Sequence, residues 1–407
     1  MKIGIGYQNE SDAVESGVRL AESAMKNGNI DHPSLALAFC GGSLDADGFF
    51  RGLRSVIGLQ TPIIGGSAIG VITNEHLSYE GHPAGVAILE SEDIRCDIAA
   101  AGSLDRDEKH AGITLAKKLP CPSDSKLMLM FYDSIKISAT SDTPPVMNAS
   151  PRLIAGIEDT LGPEVPIIGA GVLADISFGP TRQFCGDFVE SQHVVGAMLS
   201  GDFEPCFRIM HGCVPMDGLY HTITKIEGPV IYEADGRPIV ALIDEIYGSR
   251  EWQNQLPVRR LSIGVNMGDK YDDFREEHYV NRLIAGVLPG REGIVIFEPD
   301  LETGTEIQFM LRDVETIMAS ARKNSSQLMS QIHAEGKTPL FGLYIDCAGR
   351  CASVSETLSE EAAEIISVFN HHHIPLLGFY SGVEVAPLQG KTRGLDWTGV
   401  LMVMARG

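Results

Sequence analysis

Arg350 stands four residues after Asp346 and three after Cys347, just past a short apolar run. A guanidinium at the end of a buried strand can grip a carboxylate through two parallel N–H···O bonds. That carboxylate could belong to a ligand or to Glu384, and the sequence leaves both open. Asp346 and Glu384 together also offer two carboxyls for acid–base work, but geometry decides whether they act. Cys347 would need a nearby base to become a thiolate nucleophile. No histidine is near it in sequence, so a buried inert thiol is the expected state.

Small residues follow other apolar runs in the same way. Gly41 and Ser43 follow one run, Gly65, Gly66 and Ser67 another, Gly169 a third, and Gly349, Gly378, Tyr380 and Ser381 the last. Such residues let backbone N–H groups approach an anionic or carboxylate ligand, although each glycine is also explained by turn geometry. They do not spell a nucleotide site. Gly4-x-Gly6 lacks the third glycine of a dinucleotide fingerprint, and no phosphate-loop motif occurs.

His193, His211 and His221 are the candidate axial ligands if the protein holds haem. His371, His372 and His373 are consecutive, so on a helix they point about 100° apart and cannot share one ion; a polar helix end is the simpler role. Eight cysteines are scattered without zinc-type spacing, which points to reduced thiols and no metal site.

Three copies of one pattern must position these residues. Each copy ends in a proline-led strand: Thr61-Pro62-Ile63-Ile64-Gly65, Val165-Pro166-Ile167-Ile168-Gly169 and Ile374-Pro375-Leu376-Leu377-Gly378. Upstream lie buried runs at 35–40, 127–132 and 340–347, too short for helices. Between run and proline, apolar residues recur at helical spacing: Phe49, Phe50, Leu53, Val56 and Ile57; then Leu153, Ile154, Ile157 and Leu161; then Leu358, Ala362, Ile365, Ile366 and Phe369, within 356–369. A strand and a helix precede each run, at 3–6 and 12–26, at 94–101 and 105–119, and at 305–311 and 314–333. Closing strands are expected at 84–89, 194–199 and 399–404. Strand–helix–strand–helix–strand repeats predict an α/β protein of mixed sheets flanked by helices. Residues 215–300 do not fit and read as an added subdomain, with 268–278 a solvated loop or edge.

The chain has 407 residues, 44% of them hydrophobic, and a net charge of −22. Such a surface repels nucleic acid and anionic membranes. No apolar run reaches the ~18 residues a bilayer span needs, and no signal peptide is visible, so a cytoplasmic protein is expected.

With these blocks in this order, the chain resembles the FIST (F-box and intracellular signal transduction) family. The N-terminal resemblance rests on Pro62-Ile-Ile-Gly65-Gly-Ser67-Ala-Ile-Gly70. The C-terminal one rests on Cys347-Ala-Gly349-Arg350 and on Pro375-Leu-Leu-Gly378-Phe-Tyr380-Ser-Gly382-Val-Glu384. Two departures stand out: Gly66 where the family often has Cys, and Val383 where it commonly has Gly. The resemblance implies an N-terminal FIST domain over 1–213, with repeats at 1–90 and 91–213, and a C-terminal one over 214–407, made of a subdomain at 214–300 and the third repeat at 301–407. It also implies a stand-alone, non-catalytic sensor of an amino acid or other small carboxylate. Such a sensor would act on a separate signalling protein, with a homo-oligomer among the arrangements allowed. A haem-binding sensor of nitric oxide is the alternative within the family. An enzyme using Cys347, or Asp346 with Glu384, is the alternative outside it.

Overall fold

The computed structural model describes residues 1–138, 145–162, 164–355 and 358–407. Asp12, Asp45, Asp107 and Asp313 each cap a helix, their carboxylates accepting backbone N–H groups of the first turn. Those helices belong to a frame built three times. Each copy is a four-stranded sheet in which the first strand pairs with the last, the last with the second, and the second lies parallel to the third. In the first copy these are Lys2–Asn9, Pro83–Glu90, Leu35–Gly41 and Ile63–Ala68. In the second they are Ile94–Ala101, Val194–Gly201, Ser125–Asp133 and Ile167–Val172. Glu204–Met210, Gly399–Arg406, Thr338–Cys347 and Leu376–Ser381 form the third. The protein is thus a mixed α/β protein with several mixed sheets flanked by helices.

Two expectations are corrected here. The opening strand of the third repeat is Glu204–Met210 and not 305–311; a second domain has been inserted between that strand and its helix, Val314–Ala334. The residues expected to open the repeat, now Glu306–Arg312, close the inserted domain instead. There, His221–Glu227, Val230–Ala234, Ile294–Ile296, Tyr279–Val287, Leu261–Asn266 and Glu306–Arg312 pair in a closed ring. The ring is a small barrel, and it packs with the helix Ile239–Tyr247 and buried Trp252 in one apolar core. The helix expected over 356–369 is the second correction. It runs Glu361–His371 after a short turn of helix at Ala352–Ser355, and Leu358 is exposed; Glu356 lies outside the described residues.

Each central strand is buried on both faces, and its alternation separates two cores. Leu35, Leu37 and Phe39 join Leu127, Leu129 and Phe131, and Phe341, Leu343 and Ile345, in one core shared by all three sheets. Ala36, Ala38 and Cys40 face their own helices, as do Met128, Met130 and Tyr132. At the shared centre the Phe39 and Phe379 rings stack at 3.9 Å, with Phe131 edge-on to Phe39 at 5.1 Å.

The sheets also exchange strands. Past its third strand, each repeat sends a hairpin into a different repeat's sheet. Val71–Thr73 pairs with Leu376–Ser381, Gln183–Cys185 with Ile63–Ala68, and Val383–Leu388 with Ile167–Val172. The first repeat thereby extends the third, the second extends the first, and the third extends the second.

Candidate functional site

The helix-facing position near the end of the central strand is Cys40 in the first repeat, Tyr132 in the second and Asp346 in the third, each opposite the fifth residue after the repeat's proline. Only the third is a carboxyl, and there the chemistry gathers.

Asp346 is fully buried at the strand end. Arg350, in the turn Ala348–Arg350, brings its Nε to 3.1 Å from Asp346 Oδ1 and also donates to Glu361, at the start of the following helix. Its Nη1 donates to the carbonyls of Trp397 at 2.7 Å and His211 at 3.1 Å. Glu384 is therefore not its ion-pair partner. That carboxylate accepts from Ser381 Oγ at 2.9 Å and Thr398 N–H at 3.3 Å. Burial opposes the guanidinium charge, but Glu361 and Asp346 outweigh it and hold Arg350 above its ordinary pKa. Burial pushes the carboxyls of Asp346 and Glu384 up, with neighbouring carboxylates adding to the rise.

Glu360 locks the rim. Its carboxylate accepts from Tyr79 at 2.8 Å, from Tyr380, and from the Ala352 N–H at 2.8 Å. Tyr79 follows the hairpin given by the first repeat, so strand exchange completes this wall.

The barrel supplies the rest. Arg312, at the end of its closing strand, lies over the Trp397 ring with its guanidinium carbon 3.5 Å from the centroid. It donates to the Arg259 carbonyl but has no carboxylate partner among the described residues. Burial, and Arg350 nearby, push its pKa down to about 10. Arg282 pairs with Asp300 through Nε at 2.6 Å. Glu298 accepts from Ser150 Oγ at 2.6 Å, and Asp396 accepts the Leu283 N–H at 3.0 Å. Burial lifts Glu298 to about 8, helped by Asp396, and lifts Asp396 to about 6.

Several buried polar atoms here have no partner among the described residues: Arg350 Nη2, Arg312 Nε, Trp397 Nε1 and Asp396 Oδ1. Buried polar groups are nearly always paired, so such a cluster points to water or ligand.

The structure thus brings Cys347, Gly349, Arg350, Tyr380, Ser381 and Glu384 together with Asp346. Gly349 is where the chain passes Trp397, since a Cβ there would lie 2.2 Å from the indole. The Cys347 thiol is buried and raised well above its usual pKa, first by burial and then by Glu384. The remaining candidates lie elsewhere and already have structural work. A Cβ on Gly65, Gly169 or Gly378 would fall 1.9, 1.8 or 2.6 Å from the carbonyl oxygen of the adjacent central strand. Gly66 is closed off by the Arg182 carbonyl, 2.4 Å from a would-be Cβ. Ser67 exchanges bonds with the Arg182 backbone at 2.8 and 2.9 Å, and Gly41 packs on Pro83. Ser43 Oγ donates to the Gly81 carbonyl at an exposed turn.

Of the histidines, His211 has both ring nitrogens occupied. Nδ1 accepts the Cys213 N–H at 2.9 Å and Nε2 lies 3.0 Å from the Glu276 carbonyl, which leaves none for iron. His193 Nδ1 meets the Ser191 carbonyl at 2.7 Å, and His221 Nδ1 meets Asp235 at 2.7 Å.

Sequence reasoning missed Arg312, Trp397, Glu361 and the Glu298–Asp396 pair. Trp397 carried a signal, being one of only two tryptophans and placed just before the last strand.

This buried polar cluster lies at the strand ends of the third repeat, beside the barrel. The chain belongs to the FIST family, its FIST N domain matching residues 34–237 and its FIST C domain residues 240–387. Uncharacterised proteins of Mycobacterium bovis and Mycobacterium tuberculosis are each 25% identical over 398 residues, covering 96% of this chain and 95% of theirs. One from Methanocaldococcus jannaschii is 27% identical over 316 residues, covering 74% of this chain and 58% of its own. Among solved structures, a cyanuric acid hydrolase from A. caulinodans aligns over 100% of this chain and 99% of its own at 10% identity, with a TM-score of 0.36. A chorismatase aligns over 92% of both chains at 11% identity, with a TM-score of 0.31. Among the described residues no helix is long and apolar enough to cross a membrane.

Proposed function

We propose that this protein is a non-catalytic sensor that binds a small carboxylate between the third repeat and the barrel and signals to a separate protein. The observation that carries this reading is the donor set around Trp397: Arg350 Nη2, Arg312 Nε and the indole N–H, all buried and all without an acceptor among the described residues. A buried guanidinium without a counterion is costly, and an anion that accepts from both arginines removes that cost. Asp346 and Glu361 already neutralise Arg350, so Arg312 is the charge the ligand answers. The Cys347 thiol, buried and held protonated, argues for binding over nucleophilic chemistry.

The test is calorimetric titration of the purified protein with a panel of small mono- and dicarboxylates. Trp397→Phe keeps the ring and removes one donor, so a carboxylate that binds should lose about tenfold in affinity, the worth of one buried hydrogen bond. Arg312→Met should lose more. A panel in which nothing binds, or affinity unchanged in both variants, sinks the reading.

A further inference from the structure

Away from the ligand site, a groove of about 910 Å³ runs between the first strand of the third repeat, the helix Val314–Ala334 and residues 274–277. None of Arg350, Arg312 and Trp397 lines it. That first strand, Glu204–Met210, is an edge. It pairs with Gly399–Arg406 on one side and with no strand on the other, among the described residues. Six consecutive residues of it, from Glu204 to Ile209, line the groove. A groove above one sheet face would meet only alternate residues, so this one runs along the strand's open edge, where backbone groups lack a partner strand, although Pro205 has no N–H and the Phe207 carbonyl accepts from Arg208 Nη1.

The groove's charge is unlike the rest of the molecule. Lys337 is taken by Glu204 and Glu335, and Glu276 by the N–H groups of His211 and Gly212 at 2.5 and 2.6 Å. Arg208, Arg275 and Lys323 remain, against Glu277 and Glu276, whose charge the neutral N–H groups do not cancel. A chain of net charge −22 thus presents a groove whose lining carries one more cation than carboxylates.

We infer that this groove docks an acidic, extended segment of a partner protein, which adds as a strand to Glu204–Met210. Main-chain bonds supply the affinity, and Arg208, Arg275 and Lys323 select for acidic side chains. The assignment goes beyond the ligand site and stands without it. The two are nonetheless connected: Glu276 forms part of the groove wall and holds the His211–Gly212 turn, whose His211 carbonyl accepts from Arg350.

A fluorescein-labelled octapeptide alternating Glu and Val is the probe, read by anisotropy against the full chain. Binding should weaken about tenfold in the Arg275→Glu/Lys323→Glu double variant, whose exposed side chains are free to change, and fall with added salt. A Lys/Val octapeptide should not bind, and neither should the Glu/Val peptide N-methylated throughout. Bound peptide should shield Cys206, which lines the groove, from alkylation while exposed Cys121 still reacts. The inference is overturned by any of four results: no binding, equal binding to the double variant, equal binding of the methylated peptide, or unshielded Cys206. Loss of carboxylate binding in Trp397→Phe would leave all these readings unchanged, so the two proposals fail separately.

Discussion

The first and third repeats share one strand order and one proline-led strand, yet the same position holds Cys40 in one and Asp346 in the other. Around Cys40 lies an apolar core; around Asp346 lie arginines, carboxyls and tyrosines with unmet bonds. The frame is therefore not what makes the site. The inserted barrel is, because it brings Arg312 over Trp397 of the third repeat, while its Glu298 reaches Ser150 of the second.

The largest test of that contrast is Arg350→Met set against Arg54→Met. Removing Arg350 strands Asp346 and Glu361 as buried carboxyls, and urea denaturation should show a loss of about 3–5 kcal/mol. Among the described residues Arg54 donates only to the carbonyls of Gly58, Leu59 and Thr61, so its loss should cost about 1–3 kcal/mol. Equal losses would break the comparison.

A pH series sharpens it. Glu298 and Asp396 keep protons in the folded protein that the unfolded chain gives up near pH 4. Their stabilisation is complete below that pH and is lost as pH rises through about 6 and then about 8. Melting followed from pH 5 to 9 should show stability falling by a few kcal/mol, about 2–4. Glu298→Gln should flatten the upper part of that fall, and an unflattened curve would assign the titration elsewhere.

The smallest effect probes what the repeats share. Gly65→Ala and Gly169→Ala push a methyl against a strand carbonyl at under 2 Å, Gly378→Ala at 2.6 Å. Each should destabilise by about 1–3 kcal/mol, with Gly378→Ala mildest. Reversed order would mean that the third sheet is the most rigid of the three.

The repeats were legible because their buried strands and proline-led pentads keep both composition and spacing. The opening strand of the third was not, since a whole barrel separates Glu204–Met210 from its helix while Glu306–Arg312 sits beside that helix in sequence. The exchanged hairpins begin with strands as short as Val71–Thr73 and Gln183–Cys185, which leave no periodic pattern to read. For the candidate site, the rule that ligands gather at strand ends pointed to Asp346, Cys347, Arg350 and Glu384, which the structure brings together. It could not find Arg312 or Glu298, because their place depends on how the barrel docks. The rule also gathered Gly65 and Gly169, whose glycines serve the spacing of parallel strands.

The cyclic strand exchange also bears on how the chain acquires its structure. The second repeat's sheet is finished only by Val383–Leu388, and the first repeat's by Gln183–Cys185. During synthesis, then, the second sheet stays one edge short until nearly the whole polypeptide has emerged. Contacts of such long sequence separation make folding slow. The nascent protein passes through a stage in which open strand edges invite aggregation, so its demand for chaperones should peak late in translation and not early.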